Sequence, residues 1–233
     1  MTTAIYHYNS NHKAEETSIT FQEVQDELLP WIDRENCHGL IAFHEIDNFD
    51  KNLQIIYGKD GWYKFRRYFL SLFPRDAGFF IDECTKYFPN LFFHERNKIV
   101  VSYLLKNSTK KTIHYLSELN DKFGLAKTTP YNRKDTLKCF NSSCAFDDYA
   151  SDEGGSGSRK KSKAKEQDTF EFTDKYNDKK KVCCDLHLKI LKDDKGKVLT
   201  SNGKKSTGRI YFNEGIKDVG CDKILVGHIG KHT

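Results

Sequence analysis

Val182-Cys183-Cys184-Asp185-Leu186-His187-Leu188-Lys189-Ile190 alternates apolar and polar side chains almost without interruption. A period of two sends successive side chains to opposite faces of a strand. The run therefore predicts one strand, with Val182, Cys184, Leu186, Leu188 and Ile190 on an apolar face and Cys183, Asp185, His187 and Lys189 on a polar one. Two more strand-like runs follow, Gly208-Arg209-Ile210-Tyr211-Phe212 and Lys223-Ile224-Leu225-Val226-Gly227-His228-Ile229-Gly230. The loops between them are rich in Gly, Asp, Asn and Lys, as expected between antiparallel neighbours. With the alternating Phe170-Glu171-Phe172 upstream, these runs predict a compact antiparallel sheet at the C-terminus.

Upstream of residue 150 the period is helical. Phe21, Val24 and Leu28 recur at intervals of three and four, and Thr20 with Glu23 forms a capping-box pattern. Trp62, Phe65, Phe69 and Leu72 mark a second amphipathic stretch within residues 55–73, which Pro74 ends. Further helices are expected at 77–88 and at 112–123, where Ile113, Leu116, Leu119 and Phe123 share a face. Residues 99–105 fit either a buried strand or the start of a helix. Core packing accounts for the aromatic stripes without a ligand.

The segment 150–166, Gly/Ser-rich and then Lys-rich, is polar and flexible in composition. The sequence thus predicts an α+β protein with three parts. Residues 1–149 form a mainly helical regulatory or partner-docking domain, 150–166 a linker, and 167–233 a basic antiparallel β domain. The chain has 233 residues with 17 Phe and 12 Tyr, which argues against uniform disorder despite a mean hydropathy of −0.71. No window approaches the ~18 apolar residues of a membrane span, and residues 1–8 lack the pattern of a secretory signal. A cytoplasmic protein without a membrane partner is expected, its seven scattered cysteines being reduced thiols.

Charge is unevenly placed. Residues 1–150 carry 19 Lys+Arg against 20 Asp+Glu, whereas 182–233 carry 10 against 6. The positive excess lies in the last third, where a polyanionic partner fits best. There, His187 and Lys189 share one strand face, Arg209 and Tyr211 another, and His228, Lys231 and His232 close the chain. Paired as a meander, these side chains would form a cationic, titratable patch. Metal-free RNA cleavage needs a base for the 2′-hydroxyl proton, a cation for the phosphorane and an acid for the leaving oxygen. Histidine suits proton transfer near neutrality, and lysine or arginine suits the electrostatic part.

The order His187-Leu-Lys-Ile, Gly208-Arg209-Ile210-Tyr211-Phe212 and Ile224-Leu225-Val226-Gly227-His228-Ile229-Gly230-Lys231-His232 resembles the C-terminal half of RelE/ParE-like toxins, over about residues 180–233. Those are small α+β toxins of bacterial toxin–antitoxin systems, whose ribonuclease branch cleaves mRNA, commonly on the ribosome. The resemblance implies that Arg209 stabilises the phosphate and that His228 or His232 acts as acid or base. It further implies that His187, Lys189, Tyr211 and Lys231 bind RNA. An antitoxin or other regulatory protein would be a further partner, and antiviral defence a fitting role. The ParE branch poisons DNA gyrase instead, so fold alone does not fix the activity. The chain departs from the family in having a polar segment and a short strand, with no helical pair, before Val182.

Two other readings stand beside this endoribonuclease. The basic sheet could be a non-enzymatic module that binds nucleic acid or an acidic protein. Alternatively, Cys139, Cys144, Cys183 and His187 could form a zinc site that stabilises an interaction protein, although their spacing is looser than that of paired CxxC knuckles. No cofactor is expected under the ribonuclease reading. Phosphate-loop, dinucleotide, HExxH and serine-elbow motifs do not occur in convincing form. The acidic cluster at 44–50 and the charged run at 94–98 read as solvated turns.

Overall fold

A computed structural model describes residues 3–7, 38–42, 54–152, 166, 168–201 and 204–232. The fold is α+β, and the chain divides into two compact units, Met1–Leu72 and Phe73–Thr233. In the first unit, β1 (Thr3–His7), β2 (His38–Ala42) and β3 (Gln54–Tyr57) form a parallel sheet in that order. Helix α1 (Gly58–Leu72) follows β3 directly and buries Phe65 against Tyr68, Phe69 and Leu72. The helix was expected from its periodicity and the sheet was not. These strands of four or five residues pair in parallel with distant segments, Thr3 with His38 and Gly39 with Gln54, a pairing that nothing local announces. The expected helix at 20–29, the acidic cluster at 44–50 and residues 153–165 lie outside the described residues.

The second unit begins with α2 (Ala77–Tyr87), capped by Asp76, whose carboxylate accepts from Phe79 N at 2.9 Å. Then come β4 (Leu91–Phe93), two helical turns α3 (Asn97–Val100) and α4 (Ser102–Leu105), and the longer helices α5 (Thr109–Ala126) and α6 (Arg133–Ser143). Residues 99–105 are thus helical. The strands that follow are β5 (Ser151–Asp152), β6 (Thr169–Thr173), β7 (Lys179–Cys183), β8 (Leu186–Ile190), the short pair β9 (Thr200–Ser201) and β10 (Lys204–Lys205), β11 (Gly208–Asn213) and β12 (Ile224–Lys231).

Five of these strands form one sheet in the order β4-β12-β11-β8-β5, and β6 pairs with β7 as a separate hairpin. The sheet is mixed, because β4 runs parallel to β12 while the other pairs are antiparallel. Both edge strands come from before residue 153, and α5 and α6 supply a layer of its core. The Phe123 ring lies 5.3 Å from Phe212 and 5.2 Å from Phe140, both edge-on. The compact units therefore part at residues 72 and 73, whereas the composition shift at 150–166 falls inside the second unit.

The run 182–190 is not one strand, which corrects the expectation. β7 ends at Cys183 and β8 begins at Leu186, so the chain leaves the hairpin ladder and enters the large sheet. Val182 and Cys184 join Phe170, Phe172, Tyr211, Val219 and Leu225 in a cluster on one face of the sheet. Leu186, Leu188 and Ile190 instead pair with Phe212, Ile210 and Gly208, in register with the face that meets the helices. The hairpin lies close enough to β12 that a Cβ on Gly227 would stand 2.2 Å from the Phe170 ring and 2.9 Å from Cys184 Sγ.

Side chains complete this framework. Where β4 stops, buried Asn97 takes over the edge of β12. Its Nδ2 donates to Val226 O at 2.9 Å, and its Oδ1 accepts from Ile229 N at 2.7 Å. The first turn of α5 is capped from far along the chain, with Lys110 N and Lys111 N donating to the Asp194 carboxylate at 2.9 and 3.0 Å. Arg133 at the start of α6 binds Glu214 and Asp185 together, tying that helix to the ends of β11 and β8.

Candidate functional site

Register alone assembles a polar row across the sheet. Tyr211 lies opposite His187 of β8 on one side and His228 of β12 on the other. The ring centroids are 5.6 Å and 5.9 Å apart. Arg209, two residues before Tyr211 and hence on the same face, lies opposite Lys189. Ser151 of β5 extends the row, its Oγ 3.2 Å from His187 Nε2.

At the open end of the row, Arg209 Nη1 donates to Tyr211 Oη at 2.9 Å, and the same oxygen lies 3.3 Å from His232 Nδ1. The guanidinium also sits 5.7 Å from the Tyr211 ring centroid. Tyr211 is fully buried, Arg209 half-buried and His232 exposed. His232 is held by its backbone as well, its N–H donating to Thr207 O at 3.0 Å. His232 turns Nδ1 toward Tyr211, so Nε2 is the nitrogen on the far side of the ring.

The other two imidazoles are interior groups. His187 is 2 % exposed and His228 4 %. Burial disfavours the charged ring and brings His187 down to about 4, with the Lys189 and His232 charges acting in the same direction. His228 is lowered too, by burial first and then by the charges of Arg96 and His232. His228 Nε2 lies 2.8 Å from Lys231 O, and a carbonyl only accepts, so that nitrogen carries the hydrogen. Its Nδ1 is then a bare acceptor, buried and without a hydrogen-bond partner among the described residues. Both rings are neutral at pH 7 and shape the floor of the patch.

The structure thus brings His187, Lys189, Arg209, Tyr211, His228 and His232 to one face. Lys231 is separated from them, because it pairs with Gly208 and alternation assigns it to the opposite face. Lys189 is bound to Asp148 at 2.9 Å, and that bond holds the Asp148 carboxyl below its usual range. In the alternative zinc set, Cys139 lies within α6 and Cys144 at its C-cap, while Cys183 ends β7 and His187 bonds Ser151. Among the described residues, no group of three or more His, Cys, Asp or Glu side chains is arranged to hold a metal ion.

Sequence reasoning missed three contributors. Asp148 precedes and Ser151 lies within the segment 150–166 whose composition reads as linker, and nothing local announces that 151–152 pairs with β8. Arg96 was assigned to a charged loop, yet it lies over the Phe170 ring at 5.1 Å and its charge reaches His228. Its neighbour His94 bonds Glu171 O through Nε2 at 3.0 Å, pinning the hairpin beside the row.

No helix among the described residues is long and apolar enough to cross a membrane. Comparisons with protein-family models, curated proteins and solved structures found no match.

Proposed function

We propose that the Arg209–Tyr211–His232 cluster is the centre of an endoribonuclease that cleaves RNA by attack of its own 2′-hydroxyl. The observation that carries this reading is the hydrogen-bonded line from Arg209 Nη1 through Tyr211 Oη to His232 Nδ1. It joins a fixed cation to a titratable imidazole at the rim of a basic sheet, over two neutral buried imidazoles. The likeness of residues 180–233 to RelE/ParE-like toxins supports the same reading.

In this mechanism His232 Nε2 accepts the 2′-hydroxyl proton as the 2′-oxygen bonds to phosphorus. Arg209 holds the non-bridging oxygens and stabilises the charge that builds on the phosphorane. The bond from phosphorus to the 5′-oxygen breaks, and that oxygen takes a proton from solvent. The products are a 2′,3′-cyclic phosphate and a 5′-hydroxyl. Tyr211 positions the other two groups, while Arg96 adds positive potential and Lys189, paired with Asp148, offers remaining donors to the strand. Ribosome-bound mRNA as substrate, and an antitoxin as regulator, are the finer forms of the proposal.

The test is RNA-end mapping after brief induction of the wild-type chain beside an Arg209→Ala/His232→Ala variant of equal soluble expression. New ends that vanish in the variant support the reading. Intact RNA that co-purifies in a salt-sensitive manner, with no new ends, would favour the non-enzymatic binding module.

A further inference from the structure

A cavity of about 720 Å³, within the size range of small-ligand sites, is linked to the row of the candidate site by one ion pair, from its wall residue Asp148 to Lys189. It is bounded by the end of α6 and the segment 144–149, with Lys138, Asn141, Phe146, Asp147, Asp148 and Tyr149 on its walls.

The walls are held in place before any ligand arrives. Asn141 exchanges two hydrogen bonds with the backbone of Ala150, Oδ1 accepting at 2.7 Å and Nδ2 donating at 2.9 Å. His114 bonds Ala145 O, Lys111 grips the Asp147 carboxylate at both oxygens, and Tyr115 Oη accepts from Asp147 N. Phe146 packs edge-on against Tyr115 with centroids 4.8 Å apart, so the apolar wall is anchored in the core. On this braced segment Tyr149 is nevertheless 72 % exposed. A flat ring that lines a preformed cavity and is open to solvent is suited to stacking.

We infer that this cavity is a nucleobase subsite, in which one unpaired base of an RNA strand stacks on Tyr149 beside the Lys138 ammonium. The choice of ligand rests on the RNA-cleavage reading. The cavity adjoins the site through Asp148, which binds Lys189, the residue opposite Arg209 in the sheet. Asp148 Oδ1 accepts from Tyr149 N and Oδ2 from Lys189 Nζ, which leaves each oxygen one lone pair for the amino or imino hydrogens of a base. A strand would therefore run with its phosphate at Arg209 and a neighbouring base in the cavity. Base–aromatic stacking tolerates any of the four bases, so weak sequence preference accompanies this mode.

The experiment titrates the full-length chain with adenosine, guanosine, cytidine and uridine, and with their 5′-monophosphates, by calorimetry or NMR. Wild type, Tyr149→Ala, Tyr149→Phe and Arg209→Ala are compared, each checked for an unchanged unfolding curve. The expected result is nucleoside binding that Tyr149→Ala weakens about tenfold, Tyr149→Phe preserves and Arg209→Ala leaves intact. Binding indifferent to Tyr149→Ala, or no nucleoside binding by the folded wild type, would overturn the inference. Tyr149-dependent binding by a protein that cleaves no RNA would uphold the subsite and sink the cleavage reading, so the two fail separately.

Discussion

Arg209 donates a hydrogen bond from Nη1 to Tyr211 Oη, two residues along the same strand, at 2.9 Å. That bond turns a buried ring into a platform for a cation, and the same oxygen reaches His232 at the rim. Removing the hydroxyl alone should separate positioning from packing. Tyr211→Phe keeps the ring in its cluster and is expected to cost about 0.5–1.5 kcal/mol of folding stability. RNA cleavage should fall further than that loss of stability explains, and the pH profile should change shape. Tyr211→Ala removes a fully buried ring and should cost about 3–5 kcal/mol. Urea unfolding beside a cleavage assay checks both.

Folding stability should depend on pH through the two buried imidazoles. His187 binds its proton near 4 in the folded chain, against about 6.5 when unfolded. Between those values the unfolded chain holds more protons, so stability is full above about pH 6.5 and falls as the solution is acidified toward 4. His228, lowered in the same direction, adds to the fall. Each group contributes at most about 1.4 kcal/mol per pH unit in its window. Denaturant midpoints between pH 7 and 5 measure the slope, and His187→Gln should flatten it.

Asn97 replaces a missing neighbour strand at β12 with one side chain. Asn97→Ala leaves Ile229 N buried without that partner, while Val226 O keeps His94 N at 3.0 Å, and a loss of about 1–3 kcal/mol is expected. Asn97→Asp retains an acceptor for Ile229 N but loses the donor to Val226 O, so it should not restore stability. Thermal or denaturant unfolding of the two variants decides this.

The cap on α5 comes from a loop more than eighty residues away. Asp194→Ala should cost about 1 kcal/mol, and Asp194→Asn should recover part of it because an amide oxygen still accepts. Hydrogen exchange should show the loss first at the amides of Lys110 and Lys111.

Much of this geometry was legible in the sequence where one periodic element meets one neighbour. Ile113, Leu116, Leu119 and Phe123 announced α5, which buries that stripe, and the same spacing at Trp62, Phe65, Phe69 and Leu72 announced α1, where Phe65 is buried and Trp62 exposed. The strands at 208–212 and 224–230 were legible for the same reason, and their alternation placed Arg209 and Tyr211 on a common face. Residues 182–190 misled because the alternation continues while the chain changes ladders between Cys183 and Leu186, a step with no local sign. The parallel sheet of the first unit and the edge strand at Ser151 depend on distant pairing. Burial was equally hidden. His187 and His228 lie on a polar pattern, yet the sheet and the hairpin pack around them, which leaves His232 as the exposed imidazole of the row.

The proposed reaction is cleavage by the RNA's own 2′-hydroxyl at Arg209 and His232. The most direct measurement incubates purified protein, in EDTA, with an RNA oligonucleotide and with the same oligonucleotide carrying 2′-deoxy nucleotides throughout, and identifies the ends by mass spectrometry. The account predicts 2′,3′-cyclic phosphate and 5′-hydroxyl ends from the RNA, none from the deoxy strand, and loss of cleavage in His232→Ala and Arg209→Ala variants that still fold. Cleavage of the deoxy strand, 3′-hydroxyl ends, or undiminished activity in both variants would contradict it.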